Sequence, residues 1–186
     1  MKKANDICSL ISDEFSANSY SENLINAVCS LYRYMKLNRW TGACHASSAV
    51  LYVVLRELGY KPRLCIGEVY GKHLYFDHSW IELDGKVIDL AISMTLFHHM
   101  AVTGPVILDK DVVSGKKTAV RYGVPGRGIE EGCSVMMNTP FTLYMDLNSS
   151  QNDHLWDIVS IILDKKIDID RLSIKYRNVQ RELVRI

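Results

Sequence analysis

His78-Ser79-Trp80-Ile81-Glu82-Leu83-Asp84-Gly85-Lys86-Val87-Ile88-Asp89-Leu90 reads as two alternating runs joined by Asp84-Gly85. An Asp-Gly pair accepts positive φ at both positions, so it closes a two-residue type I′ hairpin whose twist suits the flanking strands. This closure sets Leu83 opposite Lys86, which places Trp80 opposite Asp89 and His78 opposite Ala91. His78, Trp80 and Asp89 then project from one face, while Ile81, Leu83, Ile88 and Leu90 project from the other and can meet a core. His78 and Asp89 become diagonal neighbours within side-chain reach. A carboxylate so placed fixes one imidazole tautomer and stabilises the cation, leaving the other ring nitrogen free to exchange a proton.

Upstream of the hairpin, a further strand is expected from Pro62 to Glu68, and the first hairpin strand from about His73. Residues 42 to 58 form the clearest helix. Thr41 can cap it, Val50, Leu51, Val54, Leu55 and Leu58 make an apolar face, and Gly59 suits the position just past its end. Cys44 falls in the first turn of this helix, where unpaired N–H groups and partial positive charge favour the thiolate. Gly42 and Ala43 are small enough to let a substrate backbone approach, and the Cys44 N–H can donate to an oxyanion formed during attack. A thiol, an imidazole and a carboxylate in this order form a candidate nucleophilic triad of Cys44, His78 and Asp89.

These residues resemble a known family. Gly42-Ala43-Cys44, then Leu55-Arg56-Glu57-Leu58-Gly59-Tyr60-Lys61-Pro62-Arg63 and Gly67, look like the cysteine segment of transglutaminase-like proteins. The strand carrying His78-Ser79-Trp80 and its Asp89 partner resemble the family's His-x-Trp strand and Asp-bearing neighbour, so the likeness spans about residues 40 to 92. The resemblance implies an α+β, papain-like (transglutaminase-like) fold, with the nucleophile helix packed on an antiparallel sheet and extra helices at both ends. It implies Cys44 as nucleophile, His78 as general base and acid, and Asp89 as the group that orients His78. It also implies thiol-dependent acyl transfer; hydrolysis of a peptide or amide bond comes foremost because water is the default acceptor and the sequence has no recognisable amine-donor or acyl-carrier site, with an acyltransferase or protein cross-linking enzyme as the alternative. A non-catalytic protein-binding module on the same fold is the other class, because fold alone does not choose an activity. The chain departs from the pattern at His45, where many relatives carry an aromatic residue or Arg. Its Gln residues stand only at Gln151 and Gln180, so no upstream glutamine completes an oxyanion hole. Asn38 or Trp40 is a candidate substitute, set against the favoured readings of Asn38 as a loop or cap residue and Trp40 as a packing residue, and Trp80 joins them as a candidate substrate contact.

The remaining sequence frames this centre. Its 186 residues suit one domain. Residues 1–36 form an N-terminal helical layer, 40–92 the central motif region, 93–150 strands and loops, and 151–186 C-terminal helices. The first two helices occupy residues 3 to 36 with a break near Ser16 to Ser19, and Ser19-Tyr20-Ser21-Glu22 has capping-box spacing. Val106-Ile107-Leu108 and Phe141-Thr142-Leu143-Tyr144 read as short apolar pieces among turns, and Gly123 to Gly128 as a surface turn or a flap beside a site. Helices are expected at 151 to 164 and 169 to 185.

No apolar run is long enough to span a bilayer, and Asp6, Ser9, Ser12 and Asp13 interrupt any secretory h-region, so a cytoplasmic protein is expected. Five cysteines without regular spacing fit free thiols. Cys8, Cys29, Cys65 and Cys133 read as structural. A net charge of +1 provides no general attraction to nucleic acid or membrane. Cys44, His45, Cys65, His73 and His78 lack the paired spacing of a zinc site, and His98-His99 reads as a solvated turn, so neither metal nor cofactor is expected. The expected partner is a peptide, protein or small acyl substrate. Arg171, Lys175, Arg177, Arg181 and Arg185 form a basic face on the last helix that reads by default as solvated and alternatively as a surface for an acidic protein.

Overall fold

A computed structural model describes residues 4–96, 102–150 and 152–185. His98 and His99 lie outside the described residues. Two helices open the chain, α1 (Ala4–Ala17) and α2 (Glu22–Leu37). Their break falls where the sequence places it, but the cap is Ser21, whose side chain accepts from the Leu24 N–H. Ser19 instead takes positive φ in the connecting turn, so the capping box centred on it does not form.

The third helix, α3 (Cys44–Glu57), starts two residues later than expected. Thr41 does not cap it; the Thr41 N–H is tied to the Arg39 carbonyl in the preceding turn, and Ala43 precedes the first helical residue without a side-chain bond. Gly42 makes this tight entry possible. Its φ is +65°, its N–H donates to the Met94 carbonyl, and a Cβ there would collide with the Leu96 side chain. The close approach expected for a substrate is thus taken by the chain itself.

Three strands follow: β1 (Arg63–Gly71), β2 (Leu74–Leu83) and β3 (Lys86–Asp89). Asp84 and Gly85 both have positive φ, and the register runs Leu83 to Lys86, Glu82 to Val87 and Ile81 to Ile88. The type I′ closure therefore has the expected register. A short 3₁₀ turn at Ala91–Ser93 stops the last strand.

Four two-residue strands, β4 (Val106–Ile107), β5 (Lys110–Asp111), β6 (Lys116–Lys117) and β7 (Arg121–Tyr122), extend the sheet on both sides. Residues 131–147 are not strands but two short helices, α4 (Glu131–Asn138) and α5 (Phe141–Leu147), separated by Pro140. Pro140 breaks one helical run and pre-sets the entry to the next. The apolar pieces around it pack as a helical stripe, with Phe141, Tyr144 and Met145 buried at spacings of three and four.

At the carboxyl end, α6 (Leu155–Leu163) lies within the expected helix but starts four residues later, and α7 (Ile169–Tyr176) ends nine residues early. The chain then forms β8 (Glu182–Leu183), which runs parallel to β1 at Cys65 and Ile66. This ending dissolves the basic helix face. Lys175 is paired with Glu57, Arg181 is buried off the helix, and Arg185 lies on the tail.

The fold is thus α+β, with seven α-helices among the described residues and a sheet ordered β6-β5-β4-β3-β2-β1-β7, antiparallel except at β8. Val50, Val53, Val54 and Leu55 of α3 are wholly buried, each contributing about 1.5–3 kcal/mol through burial of its apolar surface. They join α1, α2 and α6 to the sheet face bearing Leu64, Ile81, Leu83 and Ile88. Cys65, Val69, Trp80, Val87 and Tyr122 pack together on the other face. Among the described residues no helix is long and apolar enough to cross a membrane.

Candidate active site

Cys44 is the first residue of α3 and stands partly exposed where that helix meets β2. Its thiol lies where the His78 ring and the backbone N–H of Ser79 both act on it. His78 Nε2 lies 2.8 Å from Asp89 Oδ2, so the ring presents Nδ1 to the sulfur. Asp89 is held from two further directions. Ile92 N–H donates to its Oδ1 at 3.1 Å, and the Tyr122 hydroxyl donates to its Oδ2 at 3.0 Å. Both donors lock the orientation of the carboxylate.

The electrostatics run in opposite directions at the two reacting groups. Burial would raise the Cys44 thiol, but the His78 cation, a hydrogen bond from its ring and the Ser79 N–H bring it below the ordinary value. Burial would lower His78, yet the charges of Asp89 and Cys44 and the hydrogen bonds to both push it up to about 10. Both shifts favour a thiolate facing an imidazolium. Tyr122 is pushed far above the ordinary tyrosine value, first by burial and then by Asp89, so it remains a neutral donor.

A second histidine supports the pair from below. His45 Nδ1 lies 2.7 Å from the Ser79 hydroxyl, tying the start of α3 to β2 at the strand residue whose N–H meets the thiol. Burial, then Arg181 and His78, lowers His45 to about 4, leaving it neutral at physiological pH. It does not compete with His78 for the thiol proton.

These groups open onto a cleft of about 650 Å³ lined by Cys44, His78, Phe76, Leu96, Arg127 and Met136 among others. Cys133 also lines it. This thiol, read from the sequence as merely structural, is buried and bonded to Asp77, and burial raises it to about 12. The Gly123–Gly128 turn forms part of the rim and is pinned. Glu68 accepts from the N–H groups of Gly126, Arg127 and Gly128 at 2.6–3.1 Å.

Three sequence-based substrate contacts stand elsewhere. Asn38 ends α2, donating to the Tyr34 carbonyl and accepting from Asn152. Trp40 is buried edge-on against Tyr34. Trp80 shares a face with Asp89, as its register requires, but is 1% exposed and packed at a tilt against Tyr122, so no substrate reaches it. None of the three lines the cleft. Tyr122 carries no signal in the sequence because a two-residue strand has no readable period, and Arg181 reads there only as part of a basic helix face, not as a buried residue behind the site. Ser79 was visible within the quoted hairpin, and only its contact with the helix start marks it out. Among the described residues no group of three or more His, Cys, Asp or Glu side chains is arranged to hold a metal.

The cysteine helix, the following strands and the Asp-bearing hairpin occupy one continuous stretch, and the family model of the transglutaminase-like superfamily matches residues 12–101. This segment is transglutaminase-like. The resemblance read from residues 40 to 92 is borne out, and the matched span reaches back into α1. No curated protein and no solved structure matches the chain significantly. The transglutaminase-like segment contains Cys44, His78 and Asp89, whereas Tyr122, Cys133 and Arg181 come from the chain that follows it.

Proposed function

We propose that this chain is a cysteine enzyme that transfers an acyl group through Cys44, with hydrolysis of a peptide or amide bond as its reaction. The carrying observation is the thiol held against an imidazole that is itself anchored by a buried carboxylate. The Cys44 thiolate attacks the substrate carbonyl carbon. The oxyanion meets the N–H groups at the start of α3, which have no intrahelical acceptor. His78 then passes its Nδ1 proton to the departing amine as the C–N bond breaks, leaving a thioester on Cys44. Water adds to the thioester while His78 takes its proton, and the C–S bond breaks to release the acid and restore the thiolate beside the protonated ring.

The papain-like arrangement of these groups belongs to this reading, as do the roles of the three residues. The apolar side chains of Leu74, Tyr75, Phe76 and Met136 in the cleft suit an acyl group with a sizeable apolar portion. Asp77, Arg127 and Glu130 at the same cleft supply polar contacts to a peptide backbone. Alkylation by iodoacetamide near neutral pH, resolved to Cys44 by mass spectrometry, tests the premise. Cys44 should react far faster than a free model thiol, and Cys44→Ala should abolish turnover of peptide or thioester substrates while the fold persists. Reactivity no greater than the model thiol, or activity retained in Cys44→Ala, would overturn the reading.

A further inference from the structure

Arg181 is the one strongly basic side chain among the buried polar residues of the described chain. It sits 8% exposed between α7 and β8, its guanidinium 4.3 Å from the Tyr144 ring centre and 6.0 Å from that of Phe141. One nitrogen donates to the Met136 carbonyl at 3.4 Å. Its Nε and second terminal nitrogen are buried without a hydrogen-bond partner, and no carboxylate pairs with it among the described residues. Desolvating a guanidinium so completely costs several kcal/mol unless a compensating charge lies near. Met136 and Cys133, the groups on its inner side, are walls of the cleft that holds Cys44.

The site beyond that wall carries negative charge. A thiolate and an imidazolium cancel, but Asp89 brings a further negative charge, and that charge persists through attack, when the oxyanion replaces the thiolate. Without a cation nearby the buried cluster is net negative at each of these stages. Resting on the nucleophile reading above, we infer that Arg181 is a positioning residue that balances this charge from behind the cleft wall, sustaining the Cys44 thiolate without touching substrate. The groups that interact electrostatically with it are Tyr144 on α5, Cys133 on α4, and Cys44 and His45 on α3. Those facing Cys44 itself are His78 on β2 and Asp89 on β3, together with Cys133 and Tyr144. Tyr144 and Cys133 are both raised by burial first, which keeps them neutral, and His45 is neutral as well. The thiolate is therefore the negative partner available to Arg181 on this side.

The test is the pH profile of site-resolved Cys44 alkylation in the full chain, compared for the native protein, Arg181→Gln, Arg181→Met and Arg181→Lys. Loss of the charge should move the Cys44 inflection up by about one pH unit, the scale of a single charge acting across several ångströms of partly screened interior. Arg181→Lys should stay near the native profile, since it keeps the charge and loses only the fork. Arg181→Met keeps apolar packing on Tyr144 and so separates charge from stacking. A native inflection in the folded neutral variants, or an equal shift in Arg181→Lys, would overturn the inference. Collapse of both neutral variants would make Arg181 a folding residue and overturn it as well. An unreactive Cys44 in the native protein would instead sink the nucleophile reading, so the two failures are distinguishable.

Discussion

Asp89→Asn probes the link between carboxylate and thiol with almost no change of shape. Asp89 accepts at both oxygens: Oδ1 from Ile92 N–H, Oδ2 from His78 Nε2 and the Tyr122 hydroxyl. An asparagine that keeps its oxygen on Ile92 must turn its NH₂ toward His78. The amide then donates to Nε2, so the proton of a neutral ring moves to Nδ1, facing the sulfur, and the lone pair needed to accept the thiol proton is gone. The charge of Asp89, the largest influence raising His78, is lost too, so the imidazole should titrate at or below its ordinary 6.5 in place of about 10. Cys44 then loses its cationic partner. Restored to an ordinary 9.0, the thiol is only about 1% ionised at pH 7, so alkylation should fall by up to roughly 10²-fold, and turnover by about 10³–10⁴-fold because the tautomer is also wrong.

The His78 ring resonances followed by NMR across pH 5 to 11 read the first effect, and Cys44 alkylation reads the second. The sign of the stability effect follows from the same shift. A raised His78 contributes stability in full below about 6.5, and that contribution is lost as pH rises through about 10. Melting temperature attributable to this pair should therefore decline over that interval in the native protein and flatten in Asp89→Asn. A ring that still titrates near 10 in the variant, with alkylation unchanged at pH 7, would refute the argument that Asp89 holds the imidazolium.

Two other changes test how the surroundings hold the site. Glu68→Ala removes the acceptor for three backbone N–H groups, so the 123–128 turn should release, costing about 1–3 kcal/mol and exposing the bond after Arg127 to trypsin, as limited proteolysis would reveal. Cleavage no faster than in the native chain would contradict this pinning. Gly42→Ala should cost at least about 1–2 kcal/mol, through left-handed backbone strain and a clash with Leu96, and it should slow Cys44 alkylation by tilting the start of α3. Chemical denaturation with the same alkylation assay checks both parts, and an unchanged midpoint would show that the helix entry yields.

What was legible in the sequence had short-range causes. Asp84-Gly85 leaves one sensible turn, and that turn fixes the register of every residue from Ile81 to Ile88. Gly59 takes positive φ just past the end of α3, as its chemistry requires. The errors fall where long-range packing overrides local pattern. Phe141-Thr142-Leu143-Tyr144 is too short for its period to separate helix from strand, and burial of Phe141 and Tyr144 around Arg181 decides for helix. The segment from Arg177 to Arg185 looks helical by composition, yet β1 offers an open edge at Cys65 and Ile66 that captures Glu182 and Leu183. Trp80 illustrates a subtler limit. Its face was correctly derived, but only the position of β7 reveals that Tyr122 covers it.

The division of the site between two structural units has a consequence for the chain while it is being made. Imidazole and carboxylate sit eleven residues apart on one hairpin and can meet as soon as that hairpin closes. The sulfur arrives separately, when its helix seats against the strands. Until then the thiol lacks the imidazole and the Ser79 N–H that lower it, so under the proposed function its reactivity is withheld until the fold is complete.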